Sequence, residues 1–204
     1  MTKILLVRHG QTEWNRVERF RGQADVPLND TGLAQAEATG KRVGSTWRID
    51  AIYSSPLSRA VKTAEAIARH TQLEVQVLPG FTDIDYGEWQ GLSPEEVRQR
   101  WPEALDDWYH RPEIAQIPKG ESLDDLRRRA MAVLRALIRQ HPTDTLALVG
   151  HTVINRVTLM AVLGLGNDRF WHIKQDTCAI NVIESKEDDF VIVSLNDTCH
   201  LNQS

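Results

Sequence analysis

The 204-residue chain is 41% hydrophobic and 25% charged, a globular balance that excludes a disordered or fibrous chain and fits a single domain. A net charge of −4 argues against bulk nucleic-acid or acidic-lipid binding. No apolar run reaches the roughly 18 residues of a membrane span, and Ile4 to Val7 is too short for a secretory signal, so a cytoplasmic location is expected.

Taken in chain order, Lys3 to Val7 is a short apolar run that reads as a buried strand. Thr31 to Trp47 reads as a helix, with Leu33, Ala36, Gly40, Val43 and Trp47 on its inner face and capping side chains at Asn29 to Thr31. Ala51 to Tyr53 is a second strand, Leu57 to His70 a second helix, and Glu74 to Leu78 a third strand. Ser93-Pro94-Glu95-Glu96 is a capping box with proline at the first helical position. The aromatic, proline-interrupted stretch Trp101 to Pro118 reads as part of a lid or small subdomain spanning about 92–120 of one 204-residue domain. Ser122 opens a long helix to Gln140, Thr145 to Val149 is a fourth strand, and a helix follows from about Val153 to Leu163. Ala179 to Glu184 and Phe190 to Asn196, separated by a charged turn, read as a β-hairpin. This order predicts an α/β three-layer sandwich, with a mostly parallel sheet, helices on both faces and a C-terminal hairpin.

Ligands of such sheets bind beyond the carboxyl ends of the strands. Those ends carry Arg8-His9-Gly10, Ser54-Ser55-Pro56-Leu57-Ser58-Arg59, Gly150-His151-Thr152 and the acidic segment Asp83 to Glu88. Residues 1–22 carry a local charge of +3 against −7 for the rest, which fits an anion site on an acidic protein. Two histidines and two arginines converging without a metal-ligand cluster suggest a phosphate. The guanidinium fork matches phosphate oxygens, and a neutral imidazole is a competent nucleophile toward phosphorus. Gly10 is expected to let the backbone approach the ligand, and the helix start after His151 to add N–H donors. Neither metal nor cofactor is expected. Cys178 and Cys199 read as two reduced thiols.

Arg8-His9-Gly10, followed by Trp14-Asn15, Phe20-Arg21-Gly22, Ala24 to Leu28 and Thr31-Gly32, resembles the histidine phosphatase superfamily, which includes cofactor-dependent phosphoglycerate mutases. Ser54 to Ala60 resembles its second arginine segment, Asp83 to Gly91 its acid segment, and Gly120-Glu121-Ser122 and Val149 to Thr152 its late segments. The resemblance implies that His9 is the nucleophile and becomes a phosphohistidine. It implies that Arg8, Arg59 and His151 surround the phosphoryl group, with Asn15 and the Thr152 amide donating to it. Arg21 and Gly22 join the substrate-binding set, and Arg21 reads either as a partner for a substrate carboxylate or as a solvated loop arginine. Asp83 stands where the family usually has a glutamate proton donor, and Asp85 and Glu88 are its rivals. His9 must be neutral to attack while His151 is most useful protonated, so neighbouring charges are expected to hold their pKa values apart.

The 68 positions between Asp83 and His151 resemble the shorter phosphatase type rather than a mutase. The acid segment suits alpha-ribazole and broad-specificity phosphatases. The tail from Phe170-Trp171 to His200-Leu201 looks more like metal-independent phosphoserine phosphatases, in which a histidine stands where this chain has Tyr86. The expected activity is hydrolysis of a small phosphorylated metabolite, phosphoserine or another phosphocarboxylate among them. A mutase, a non-catalytic member of the fold and a phosphoprotein-binding one are the alternatives, and a homodimer is left open.

Overall fold

The computed structural model describes residues 1–186 and 189–201. Its strands are β1 (Lys3–Arg8), β2 (Ala51–Ser54), β3 (Val75–Val77), β4 (Thr145–Gly150), β5 (Ile180–Lys186) and β6 (Asp189–Asp197). They form one sheet in the order β3-β2-β4-β1-β5-β6. The pairs among β1 to β4 are parallel, and β5 runs antiparallel to both β1 and β6. The α/β sheet with its C-terminal strand pair is thus as expected. The charged turn of the hairpin includes residues 187–188, which lie outside the described residues.

The helices are α1 (Glu13–Arg16), α2 (Asp30–Thr46), α3 (Ser58–Thr71), α4 (Pro94–Arg100), α5 (Pro102–His110), α6 (Leu123–Gln140) and α7 (Thr152–Val162). Alternation along β1 sorts them into two layers. Leu5 and Val7 pack with Val43 of α2 and Ala60, Ala64 and Ile67 of α3. Ile4 and Leu6 share the opposite core with Leu126, Ala130 and Leu134 of α6 and Ile154 and Val157 of α7. Side chains of successive strand residues point to opposite faces, so a continuous apolar run serves both layers.

Local chemistry accounts for the helix starts. The Asn29 side chain accepts from the Gly32 amide, Ser122 accepts from Asp125, and Ser93 and Glu96 form the expected reciprocal capping box. Two local expectations differ. Leu33 is 50% exposed rather than inward, because Gly32 takes the close-packed position one residue earlier. The third strand shortens to an exposed edge of three residues. The proline-interrupted stretch contains α5, since Pro102 sits at the first turn, where its missing N–H costs nothing. Among the described residues no helix is long and apolar enough to cross a membrane.

Candidate active site

The strand order builds the site. β4 lies between β1 and β2, and Arg8 is in register with Gly150 while Ser54 is in register with Val149. The residues that follow these three strand ends therefore share one rim: His9, Ser55 and His151. The rings of His9 and His151 lie 5.1 Å apart.

Their hydrogen bonds set opposite tautomers. His9 Nδ1 lies 2.6 Å from the Gly10 carbonyl. A carbonyl oxygen only accepts, so Nδ1 carries the proton and Nε2 keeps a free lone pair. In His151, Nδ1 accepts from Arg59 Nε at 3.2 Å, so Nε2 carries the proton and donates to Ser55 Oγ at 2.7 Å. The expectation of divided pKa values is corrected here. Burial and the charge of Arg59 push both histidines well below the usual imidazole range, with the other imidazole and Arg8 adding to the effect on His9 and Arg21 and Arg8 to that on His151. His151 is thus a neutral donor, because its own burial and the cationic Arg59, Arg21 and Arg8 around it disfavour a further positive charge.

Arg59 is fully buried on α3 and spends donors on the carbonyls of Ala24 (2.6 Å) and Gly22 (2.7 Å). Gly22 has φ +47°, and a Cβ there would lie 2.8 Å from the Ile84 carbonyl, so only glycine fits. Gly10 corrects another expectation. Its missing Cβ makes room for the backbone of Gly32, whose carbonyl would lie 2.5 Å away, rather than for a ligand. The Arg8-His9-Gly10 and Thr31-Gly32 segments therefore pack backbone on backbone. Arg8 donates through Nη1 to the Gln175 carbonyl at 2.5 Å, and burial with Arg21 and Arg156 nearby pushes its pKa down to about 9, still cationic at neutral pH.

Among the three candidate acids the structure separates Asp83. It is buried and lines the cleft, and its Oδ1 accepts from the Ile154 amide in the first turn of α7 at 3.3 Å. Burial pushes its carboxyl up against the opposing pull of Arg59, which favours the protonated form. Asp85 instead caps a turn at the Gly87 amide, and Glu88 pairs with Lys119 at 2.5 Å. The Asp83 backbone is clamped by Arg129, which donates to the carbonyls of Thr82 and Asp83 and is held by Glu121 at 2.7 Å. That clamp explains the Gly120-Glu121-Ser122 segment.

Above this rim opens a cleft of about 490 Å³, lined by Arg8, Asn15, Arg21, Gly22, Asp83 and Thr152. Tyr86, Arg156, Phe170, Trp171 and residues of α5 complete the wall. His9 and His151 are buried next in sequence to the cleft-lining Arg8 and Thr152, and Arg59 is buried against His151. Asn15 Oδ1 accepts from the Thr12 amide and hydroxyl, which leaves its NH₂ to the cleft. Arg21 Nη1 donates to the Trp14 carbonyl at 3.0 Å. Arg8 Nε, Thr152 Oγ1 and Arg156 Nε are buried without a hydrogen-bond partner. All three belong to residues that line the cleft, where a ligand can reach them. Ser55, Arg129 and Arg156 were not singled out by sequence reasoning. Ser55 lay inside a recognised segment, whereas the two arginines carried no signal beyond helical spacing.

An α/β sheet presenting paired imidazoles, guanidiniums and one buried carboxyl to a polar cleft defines a phosphoryl-handling hydrolase. The sequence profile of the histidine phosphatase superfamily (branch 1) matches residues 4–198, and the chain belongs to that superfamily. It is 37% identical to phosphoserine phosphatase 1 of Hydrogenobacter thermophilus over 203 residues, covering 100% of this chain and 96% of the relative. It is 33% identical to a metal-independent phosphoserine phosphatase of Arabidopsis thaliana, covering 99% of this chain and 84% of the relative. Among solved structures, a phosphoserine phosphatase mutant from Entamoeba histolytica in complex with phosphoserine superposes with a TM-score of 0.89 at 27% identity, covering 98% of this chain and 100% of that one. The protein is a phosphomonoesterase of the histidine phosphatase type.

Proposed function

We propose that the chain is one catalytic domain, with the segment 92–120 as its lid. It hydrolyses small phosphomonoesters that bear a carboxylate, phosphoserine among them, through a phosphohistidine on His9. The observation that carries this is the tautomer of His9, whose Nδ1–H donates to the Gly10 carbonyl and leaves the Nε2 lone pair for phosphorus, while burial raises the Asp83 carboxyl of the same site. The phosphoryl group sits among Arg8, Arg59, the Asn15 amide and the Thr152 N–H. His151 Nε2–H turns from Ser55 to a phosphoryl oxygen, and Arg21 and Gly22 frame the entry. Nε2 attacks phosphorus, the P–O ester bond breaks, and Asp83 gives its proton to the leaving oxygen. Asp83, now a carboxylate, takes a proton from water as that water attacks phosphorus. The P–N bond breaks and inorganic phosphate leaves. Positioning and charge do most of this work, and the arginines supply the charge. The naming of relatives as metal-independent or simply as phosphoserine phosphatases supports the same reading. Both cysteines are free, which fits a reducing compartment, and the cytoplasm is the proposed location.

The test is phosphate release from phosphoserine in excess EDTA, beside isomerisation of 3-phosphoglycerate with its bisphosphate primer. Hydrolysis should persist in EDTA and outpace isomerisation. Activity that vanishes and returns with magnesium, or isomerisation that is much the faster, overturns the reading.

The pH profile gives a second expected result. His9 must be neutral, and its depressed pKa moves the acid limb of kcat/KM well below pH 6.5. Asp83 must be protonated, so activity falls as pH rises through its elevated pKa. The profile is measured on an alkyl phosphate and corrected for the substrate's own titration. An acid limb centred at the ordinary histidine value would contradict the burial argument.

A further inference from the structure

The cleft holds a second cationic position that this chemistry leaves unused. Arg156 lies on α7 one turn beyond Thr152, so about 6 Å further along the helix axis. Its guanidinium carbon sits 5.0 Å from the ring centroids of both Phe170 and Trp171. Phe170 is fully buried, and Trp171 is fixed by its indole N–H donating to the Trp108 carbonyl at 2.7 Å. Stacking occupies the face of a guanidinium and leaves its in-plane N–H groups free. Among the described residues these groups have no hydrogen-bond partner, and the buried Nε is one of the orphaned donors. Carboxylates nearby do not pair with it. Asp176 is near enough to favour its charge, yet it is held by Lys174 at 3.0 Å and Asn196 at 2.9 Å. A largely buried cation without a counter-ion is costly. An anion brought by the ligand removes that cost.

Arg21 lines the same cleft. Its charge acts on His9, His151 and Asp83, and also on Arg8 and Tyr86, the two groups that Arg156 acts on. Arg21 donates through Nη1 to the Trp14 carbonyl, whereas Arg156 is held by aromatic faces with its buried Nε unpaired. We propose that Arg156 is a specificity-determining residue, which receives the substrate's carboxylate about one helical turn from the phosphoryl group. The aromatic shelf of Phe170 and Trp171 holds its fork in place. This moves the carboxylate partner from Arg21, which the sequence suggested, to Arg156. The inference rests on the phosphatase reading above, and names the substrate class of that site as phosphomonoesters with a carboxylate a short link from phosphorus.

The test compares kcat/KM for phosphoserine with that for O-phosphoethanolamine, which lacks only the carboxylate. The parent enzyme should prefer phosphoserine by about 10- to 100-fold, the usual worth of a charge-assisted hydrogen bond. Arg156→Gln should lose most of that preference, mainly through KM for phosphoserine. Arg156→Lys should recover part of it, since it restores charge without the fork. Arg135→Gln, an exposed helix position away from the cleft, should keep the parent's preference. An Arg156→Gln loss equal for both substrates, or a parent enzyme that hydrolyses both equally well, overturns the role of Arg156 and leaves the phosphatase reading standing. A parent enzyme that hydrolyses p-nitrophenyl phosphate but neither amino compound overturns the substrate class as well. Failure on all three substrates defeats the phosphatase reading itself.

Discussion

His9→Ala is expected to reduce turnover of every phosphomonoester by about 10⁴-fold or more, as removal of a covalent nucleophile does. The effect should be this large because no second nucleophile is poised at the rim. His151 presents a proton rather than a lone pair toward Ser55, and its Nδ1 is occupied by Arg59 Nε. Without His9, water would have to attack phosphorus before Asp83 has lost the proton it must give to the leaving group. Phosphate affinity should survive, since Arg8, Arg59 and the Asn15 amide remain. Rapid quenching of the parent enzyme with labelled substrate should trap an acid-labile, base-stable phosphate on His9, absent from the variant. Turnover in His9→Ala within tenfold of the parent would exclude the covalent route, whatever the quench shows.

Much of this site was legible because it hangs on strand ends. A buried apolar strand followed by His9 or by His151 is a short local signal, and a parallel sheet brings such ends to one rim. Which end lies beside which was not legible. Only the pairing of β4 with β1 puts the two imidazoles 5.1 Å apart. The tautomers depend on single hydrogen bonds to the Gly10 carbonyl and from Arg59, so sequence reasoning assigned His151 a charge that its neighbours exclude. The role of Gly10 was misread for a similar reason. Its partner Gly32 is distant along the chain, and the close approach exists only once α2 packs on the β1 loop. Arg129 and Arg156 look like any other helical arginine in the sequence. Their meaning comes from what they touch: the carbonyls of the acid segment for one, two aromatic faces for the other. Pro102, which punctuates the aromatic stretch in the sequence, starts α5 in the fold.

Asp83→Asn should separate substrates by their leaving groups. An alkyl alkoxide leaves poorly, so a proton from Asp83 should be worth about 10²–10⁴ in rate, or about 3–5 kcal/mol. A nitrophenolate leaves well without one. The variant should therefore lose that factor on phosphoserine yet keep most of the phosphorylation rate on p-nitrophenyl phosphate. Its second half-reaction still needs a base to activate water, and asparagine supplies none. Aryl-ester turnover should then stall after a burst of nitrophenol equal to the enzyme present, with phosphohistidine accumulating. Asp83→Glu should retain substantial activity, because the longer side chain keeps a carboxyl at the same cleft wall. The fit is constrained, however, by the Ile154 amide at 3.3 Å and the Arg129 clamp on the Asp83 carbonyl. Asp85→Asn and Glu88→Gln are the controls, since the first carboxylate caps a turn and the second pairs with Lys119. Neither should discriminate between alkyl and aryl esters. Unchanged phosphoserine turnover in Asp83→Asn would remove Asp83 from the proton path, and a leaving-group-dependent loss in either control would show which carboxylate takes its place.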